Sequence, residues 1–226
     1  MTDDPSATGL RRICAGLAEL GTATVSDALD RHGLPGSAAG IAPLAAGQRM
    51  AGPAFTVRYV PAGGRPGTVG DYLDDCVAGQ VVVLDNAGRT DCTVWGGILS
   101  ELASAKGLAG TAVNGACRDV GRALALGYPL YSRGRFMRTG KDRVEVAGVN
   151  EVVALGDVQV RPGDLVVGDD DGVVVVPGDR VAEVLSAARS IAAAEARITS
   201  ASLDGMPLAE ARARHGYHRL QRGDPA

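Results

Sequence analysis

Between Val81 and Val113 the spacing of apolar positions changes period twice. Val81-Val82-Val83-Leu84-Asp85 is a short apolar run between Gly79 and an Asn-Ala-Gly turn signal, which predicts a buried strand. Residues 86–95 read as a polar loop. From Gly96 the apolar positions become Ile98, Leu99, Leu102, Ala103 and Ala105, a helical spacing, and Gly107 after Lys106 is a helix stop. Gly110 to Val113 predicts a second strand. Strand, helix, strand is a βαβ unit, so the strands are expected to be parallel with a right-handed crossover. Ligands of such units bind beyond the carboxyl ends of the strands. With neighbouring strands, loops 86–97 and 114–119 open on one edge.

The rest of the chain reads by the same rules. Leu10, Ile13, Leu17 and Leu20 mark an amphipathic helix. Thr24 or Ser26 is the expected cap of a second helix through Ala28 and Leu29, ending at Gly33. Asp27 suits the start of that helix, or contact with a site, and His32 its exposed end. Ala54 to Val60 alternates as a strand, residues 61–67 have the Gly and Pro content of a connection, and Thr68 to Val77 looks helical. Val120 to Leu126 predicts a short helix ended by Gly127, and Pro129 to Tyr131 a strand. Residues 133–143 carry Arg133, Arg135, Arg138, Lys141 and Arg143, which read either as a solvated loop or as a lid attracting an anion.

From Val144 onward short runs at 144–147, 151–154, 157–160, 165–169 and 172–176 predict strands. Asp169-Asp170-Asp171-Gly172 lacks the spacing of a calcium loop and reads as a turn between two of them. Val173 to Val176 is apolar throughout, as for a strand buried on both faces. Arg180 to Ser200 is a long alanine-rich helix, broken by Gly205-Met206-Pro207 and followed by Leu208 to Arg214. The class is therefore α/β, with a βαβ core and a β-rich second half followed by a long helix. Residues 1–204 form the expected domain. Residues 205–226, with Arg212, Arg214, His215, His218, Arg219 and Arg222, form a basic extension that is solvated or clasps another subunit.

Composition narrows the function. The 226 residues suit one domain, and aromatics at 4% leave a core built from Ala, Val and Leu. A net charge of −3 argues against a nucleic-acid binder that relies on a basic field. No apolar run approaches membrane-spanning length, and the start Met-Thr-Asp-Asp is unlike a signal peptide, so a cytoplasmic location and no membrane partner are expected. Cys14, Cys76, Cys92 and Cys117 are widely spaced and read as buried free thiols, with a nucleophilic role for Cys92 or Cys117 disfavoured.

The candidate chemistry sits at the two ends of the stretch from Trp95 to Asp119. The first amides of the helix, on Gly96, Gly97, Ile98 and Leu99, lack intrahelical partners at the positive end of its dipole. Glycine lets a carboxylate approach them closely. Arg118 offers a planar fork for a carboxylate or enolate, and Asp119 a ligand for a hard divalent cation such as Mg²⁺. Amides, guanidinium and metal together suit a small oxyacid that develops an oxyanion. The same residues are also compatible with a tight turn, a surface ion pair and an Asp119 cap on the helix that follows. Spacing alone leaves both readings open.

The motif WGG, a helix, then KGLAGTAVNGACRD resembles the RraA-like family. That family comprises class II pyruvate aldolases acting on 4-hydroxy-4-methyl-2-oxoglutarate and 4-carboxy-4-hydroxy-2-oxoadipate, and the regulator of ribonuclease E activity. Gly21 to Leu29, Gly52 to Val57, Val160 to Asp164 and Gly168 to Pro177 also resemble its segments, so the likeness spans most of the chain. It implies a β/β/α swivelling domain in a homotrimer or hexamer. It implies substrate carboxylate binding on the amides of Gly96, Gly97, Ile98 and Leu99, substrate contact by Arg118, catalysis by Arg118 and Asp119, and Mg²⁺ or Mn²⁺ on Asp119. The implied activity is metal-dependent carbon–carbon cleavage of a 2-oxo acid releasing pyruvate, with oxaloacetate decarboxylation open to the same apparatus. The alternatives are a non-catalytic regulatory binding protein and a related lyase recruited to another pathway. Two departures stand out: Gly97 where many members carry an acid, and Asn114-Gly115 where many have Asp-Gly.

Overall fold

Valine-rich runs become the centre of a mixed sheet. The computed structural model describes residues 5–63 and 68–221. Its strands are β1 (Ala42–Pro43), β2 (Met50–Pro61), β3 (Val81–Asp85), β4 (Thr93–Trp95), β5 (Gly110–Cys117), β6 (Leu130–Arg135), β7 (Val144–Val149), β8 (Val153–Leu155), β9 (Val158–Val160), β10 (Leu165–Asp169) and β11 (Gly172–Val176). The helices are α1 (Pro5–Arg31), α2 (Gly97–Ala105), α3 (Val120–Ala125), α4 (Val181–Leu203) and α5 (Leu208–Arg214). Residues 1–4, residues 64–67 of the Gly/Pro connection, and Arg222 with the end of the basic tail lie outside the described residues.

The sheet order is β1-β6-β5-β3-β2-β10-β11, with β4 beside β5 and β7 beside β2. The expected βαβ unit is present: β3 and β5 are parallel neighbours, with Val83 opposite Ala112 and Asp85 opposite Asn114. Strand β5 continues to Cys117, beyond the predicted Val113, because its last residues pair with β4 inside the predicted loop 86–95. β1 and β11, the ends of the order, touch, so the sheet curves almost into a barrel. Residues 68–77 supply only a 3-10 turn at Asp71–Asp75. The β-rich half matches its predicted runs, and the Asp169–Gly172 turn joins β10 to β11 as a hairpin.

The continuous apolar runs are explained by burial on both faces. In β3, Val82 and Leu84 enter a cluster with Phe55, Trp95 and Val113. Val81 and Val83 point the other way, into a cluster with Ala112, Tyr131 and Val175. A third cluster packs α1 and α4 on β10 and β11 through Leu17, Val25, Leu29, Val167, Val174 and Ile191. Leu220 joins this cluster, and Gln221 donates to the Asp27 carboxylate at 3.2 Å, so residues 208–221 return onto α1.

Helix α1 is kinked at Gly21, whose φ of 81° is open to glycine. Its second segment is capped from outside. The Asp169 carboxylate accepts from the Thr22 amide at 2.7 Å and the Thr22 hydroxyl at 2.6 Å. Neither Thr24 nor Ser26 provides the cap, and the Ser26 hydroxyl pairs with that of Ser37. The predicted stop at Gly33 is present, with φ of +64° and a Leu34 amide bond to Leu29 O at 3.0 Å.

Candidate functional site

The residues singled out at both ends of the Trp95–Asp119 stretch meet beyond the carboxyl end of β5. Gly96 is the N-cap of α2, in extended backbone. The buried Trp95 fixes that start: its indole N–H donates to Ser100 Oγ at 2.9 Å, and Ser100 Oγ donates to Gly96 O at 3.1 Å. The Trp95 ring stacks on Tyr128, with centroids 6.1 Å apart. The Arg118 amide donates to Trp95 O at 3.0 Å, which ties the Arg-Asp pair to the same anchor.

Asp119 adopts the left-handed conformation (φ 55°, ψ 37°), one that aspartate tolerates better than most residues. It makes no side-chain cap on α3, the helix it precedes. Its Oδ2 instead accepts from the Gly97 amide of α2 at 2.8 Å. A negative charge therefore already rests at the positive end of the α2 dipole. Arg118 Nε lies 3.7 Å from the same oxygen, and both side chains are about half exposed. Among the described residues the amides of Ile98 and Leu99 donate to no acceptor, as is usual for the first turn of a helix.

The glycines are needed for this approach. A Cβ on Gly96 would stand 2.9 Å from Asp119 Oδ2 and 3.2 Å from Arg118 Nε. One on Gly97 would meet Arg122 Cδ at 3.0 Å. Arg122, ion-paired with Glu101, thus fills the space where many relatives are expected to carry an acid. The second departure lies elsewhere. Asn114 accepts from Arg133 Nε at 2.7 Å and donates to Asp85 Oδ1 at 3.0 Å and Ala154 O at 3.2 Å. It closes a structural network and does not line the cavity.

That cavity, about 600 Å³, is lined by Trp95 to Leu99, Leu102, Arg118 and Asp119. The volume suits a small molecule. Thr68 to Asp71, Leu73, Asp74, Thr93, Val94, Thr139 and Lys141 also line it. The sequence pattern does not single out these further lining residues as site residues, apart from Lys141 as a member of the basic run. The acids at 71 and 74 were the available signal, but nothing local showed that their turn faces α2. Lys106, at the end of α2, fixes that turn by donating to Leu73 O and Asp74 O, both at 2.8 Å. A smaller cleft of about 510 Å³, lined by Gly97, Ile98, Glu101, Asp119, Gly121 and Arg122, adjoins the other flank of Asp119.

Chemically, the start of α2 with Arg118 and Asp119 offers hydrogen-bond donors, a guanidinium and one carboxylate. No three His, Cys, Asp or Glu residues cluster as a ready-made metal cage among the described residues. A single half-exposed carboxylate fits Mg²⁺ or Mn²⁺ chemistry, because such ions keep several waters and bind through one or two protein carboxylates. The four cysteines are free and buried. Cys92 and Cys117 are fully buried, and burial pushes the Cys117 thiol up despite its hydrogen bond with Ser132, so it is no ready nucleophile. No described helix is long and apolar enough to cross a membrane.

Comparison with known proteins identifies the chain's relatives. The RraA-like family model, described as Aldolase/RraA, matches residues 22–175. Protein DlpA of Legionella pneumophila is 38% identical over 200 residues, which are 87% of this chain and 32% of DlpA. The chain thus spans about a third of that relative's length. A Halalkalibacterium halodurans protein named "Putative 4-hydroxy-4-methyl-2-oxoglutarate aldolase" is 36% identical over 74% of this chain and 78% of its own. The crystal structure of an uncharacterized protein from Pseudomonas syringae pv. tomato superposes with a TM-score of 0.83 at 40% identity, over 89% of this chain and 97% of that one.

Proposed function

We propose, for a chain that belongs to the RraA-like family, that the cavity at the start of α2 is the active site of a carbon–carbon lyase cleaving a small 2-oxo acid. The observation that carries this reading is the convergence of the α2 amides, Arg118 and Asp119 on one wall, with the Gly97 amide 2.8 Å from the Asp119 carboxylate. The likeness to a protein named as a 4-hydroxy-4-methyl-2-oxoglutarate aldolase supports the reaction class.

In this reading the substrate carboxylate docks on the free amides of Ile98 and Leu99, and Arg118 faces the 2-oxo oxygen. The bond between C3 and C4 breaks, its electron pair moves into the C2–C3 enolate, and the C4 hydroxyl loses its proton as it becomes a carbonyl. Protonation at C3 then gives pyruvate, with water as the proton carrier. Arg118 stabilises the negative charge that develops on the C2 oxygen, where a preorganised donor has most effect. Asp119, held by the Gly97 amide, keeps an oxygen free for Mg²⁺ or Mn²⁺, whose contribution when bound is Lewis-acid polarisation of the 2-oxo acid end. Trp95 and Ser100 keep the amide row aimed at the cavity. The proposed setting is a cytoplasmic homotrimer or hexamer, with residues 205–226 as an extension of the 1–204 domain.

The deciding experiment measures pyruvate release from a panel of 4-hydroxy-2-oxo acids and oxaloacetate, with EDTA and then with Mg²⁺ or Mn²⁺ restored. Metal-dependent release from at least one compound is expected, and no release from any under any condition ends the lyase reading. The competing reading is a regulatory binding protein. It is favoured by Ile98 and Leu102, one helical turn apart on α2 and 76% and 50% exposed, which suit an apolar partner. It predicts stoichiometric complex formation with a protein partner that Ile98→Asp abolishes.

A further inference from the structure

We propose that Glu101 holds the Arg122 guanidinium off Asp119, and that this ion pair sets how tightly Asp119 takes a divalent cation, an inference that rests on the metal-dependent reading above. Local sequence favours a different pairing. Asp119 precedes α3 and Arg122 stands three positions later, a spacing at which opposite charges meet on a helix surface. The backbone brings them together: the Arg122 amide donates to Asp119 O at 2.9 Å. Their side chains start close to each other, because a Cβ on Gly97 would stand 3.0 Å from Arg122 Cδ and 3.4 Å from both Cβ and Oδ2 of Asp119. Yet Arg122 ion-pairs with Glu101. Among the described residues Arg118 is the one basic side chain within 4.0 Å of the Asp119 carboxylate.

Helix α2 places Glu101 for this task. It stands four positions after Gly97, on the same face, and helical side chains lean toward the N-terminus of their helix. Gly97 has no side chain to fill that face, so Arg122 reaches across from α3 and meets Glu101 there. Gly97, Glu101, Asp119 and Arg122 line one cleft. The charges around Asp119 then compete for it. A guanidinium released from Glu101 would turn to the carboxylate oxygen that the Gly97 amide leaves available, and its positive charge would repel a divalent ion. Paired with Glu101, it presents a dipole in place of a full charge. Both members of the pair are about half exposed, so the effect is modest and salt weakens it.

Mn²⁺ titration without substrate, followed by the electron paramagnetic resonance signal of the free ion at low salt, tests this. Glu101→Gln should weaken Mn²⁺ binding about fivefold, the upper range of a half-exposed ion pair. Arg122→Gln should tighten it by about threefold, and the double variant should return to within about twofold of wild type. Both shifts should shrink as potassium chloride is added. Opposite signs in the two single variants distinguish this role from a structural one, because damage to the fold would weaken binding in both. Shifts of the same sign, or no shift in either variant, overturn the proposal. Asp119→Asn separates the two levels of failure. If wild type binds no Mn²⁺, or binds it no better than Asp119→Asn, the metal-dependent reading falls and this inference with it. If Asp119→Asn abolishes binding while Glu101→Gln and Arg122→Gln titrate as wild type, the inference alone falls.

Discussion

Two polar clusters stand near the carboxyl ends of β3 and β5, and they are built on opposite plans. In the first, Asp85, Asn114, Arg133 and the Ala154 backbone satisfy one another: Asp85 accepts from Asn114, Ala87 and Ala154, and Asn114 accepts from Arg133. In the second, Asp119 spends one oxygen on Gly97, while the amides of Ile98 and Leu99 and the half-exposed Arg118 face a cavity. A closed network has no capacity left for a ligand, and removing a member strands its partners. An open one has spare donors and stays solvated until something binds. Equally polar residues a few positions apart thus serve stability in one place and, in the function proposed above, chemistry in the other.

The sharpest way to break this contrast is to truncate the open cluster. Arg118→Ala and Asp119→Ala should each lower kcat/KM for pyruvate release by about 100-fold or more, a loss of about 2.7 kcal/mol in transition-state stabilisation. Both should melt within a few degrees of wild type by circular dichroism, and normal turnover in both would remove the site. The closed cluster should respond in reverse. Asp85→Ala strands the Ala154 amide and the Asn114 side chain and should cost about 2 kcal/mol in urea unfolding. Its folded fraction should turn over within about threefold of wild type. Asn114→Asp should also destabilise, because it sets a second carboxylate against Asp85. Loss of turnover without loss of stability in either variant would mean that the two clusters are one.

Smaller effects sharpen the picture. Gly96→Ala should reduce turnover about tenfold, or about 1.4 kcal/mol, because the new Cβ meets Asp119 Oδ2 at 2.9 Å. Asp169→Ala, which removes the external cap of Thr22, should cost about 1 kcal/mol of stability and leave turnover unchanged. Burial opposes ionisation of Asp169, but hydrogen bonds from the Thr22 side chain and amide and the Asp171 amide leave its pKa below the ordinary value. Its contribution is therefore present above an unfolded-state pKa of about 3.9 and is lost as pH falls through the folded value. Wild-type stability should show this acid-side decline more steeply than Asp169→Asn in unfolding measured between pH 5 and 3.

Elements whose signals are local can be read from the order of the amino acids. A five-residue apolar run, a period of 3.6 and a glycine stop define β3, α2 and β5, and those in turn dictate a parallel unit with its loops on one edge. The glycines at 96 and 97 and the Arg118-Asp119 pair were legible for the same reason. What each polar side chain meets is set by the folded arrangement of distant segments. Asp119 precedes α3 in the chain and reads as its cap, yet it serves α2, 22 positions back, because β4 pairs with β5 and brings that helix start alongside. Thr22 receives its cap from Asp169, 147 positions away. Of five basic residues in one run, four are engaged by the chain's own carbonyls, an aromatic ring and an amide, and Lys141 is left to the cavity. Periodicity reports which face of an element is buried; the partner of a charge depends on strand register and loop closure between distant segments, which no local pattern encodes.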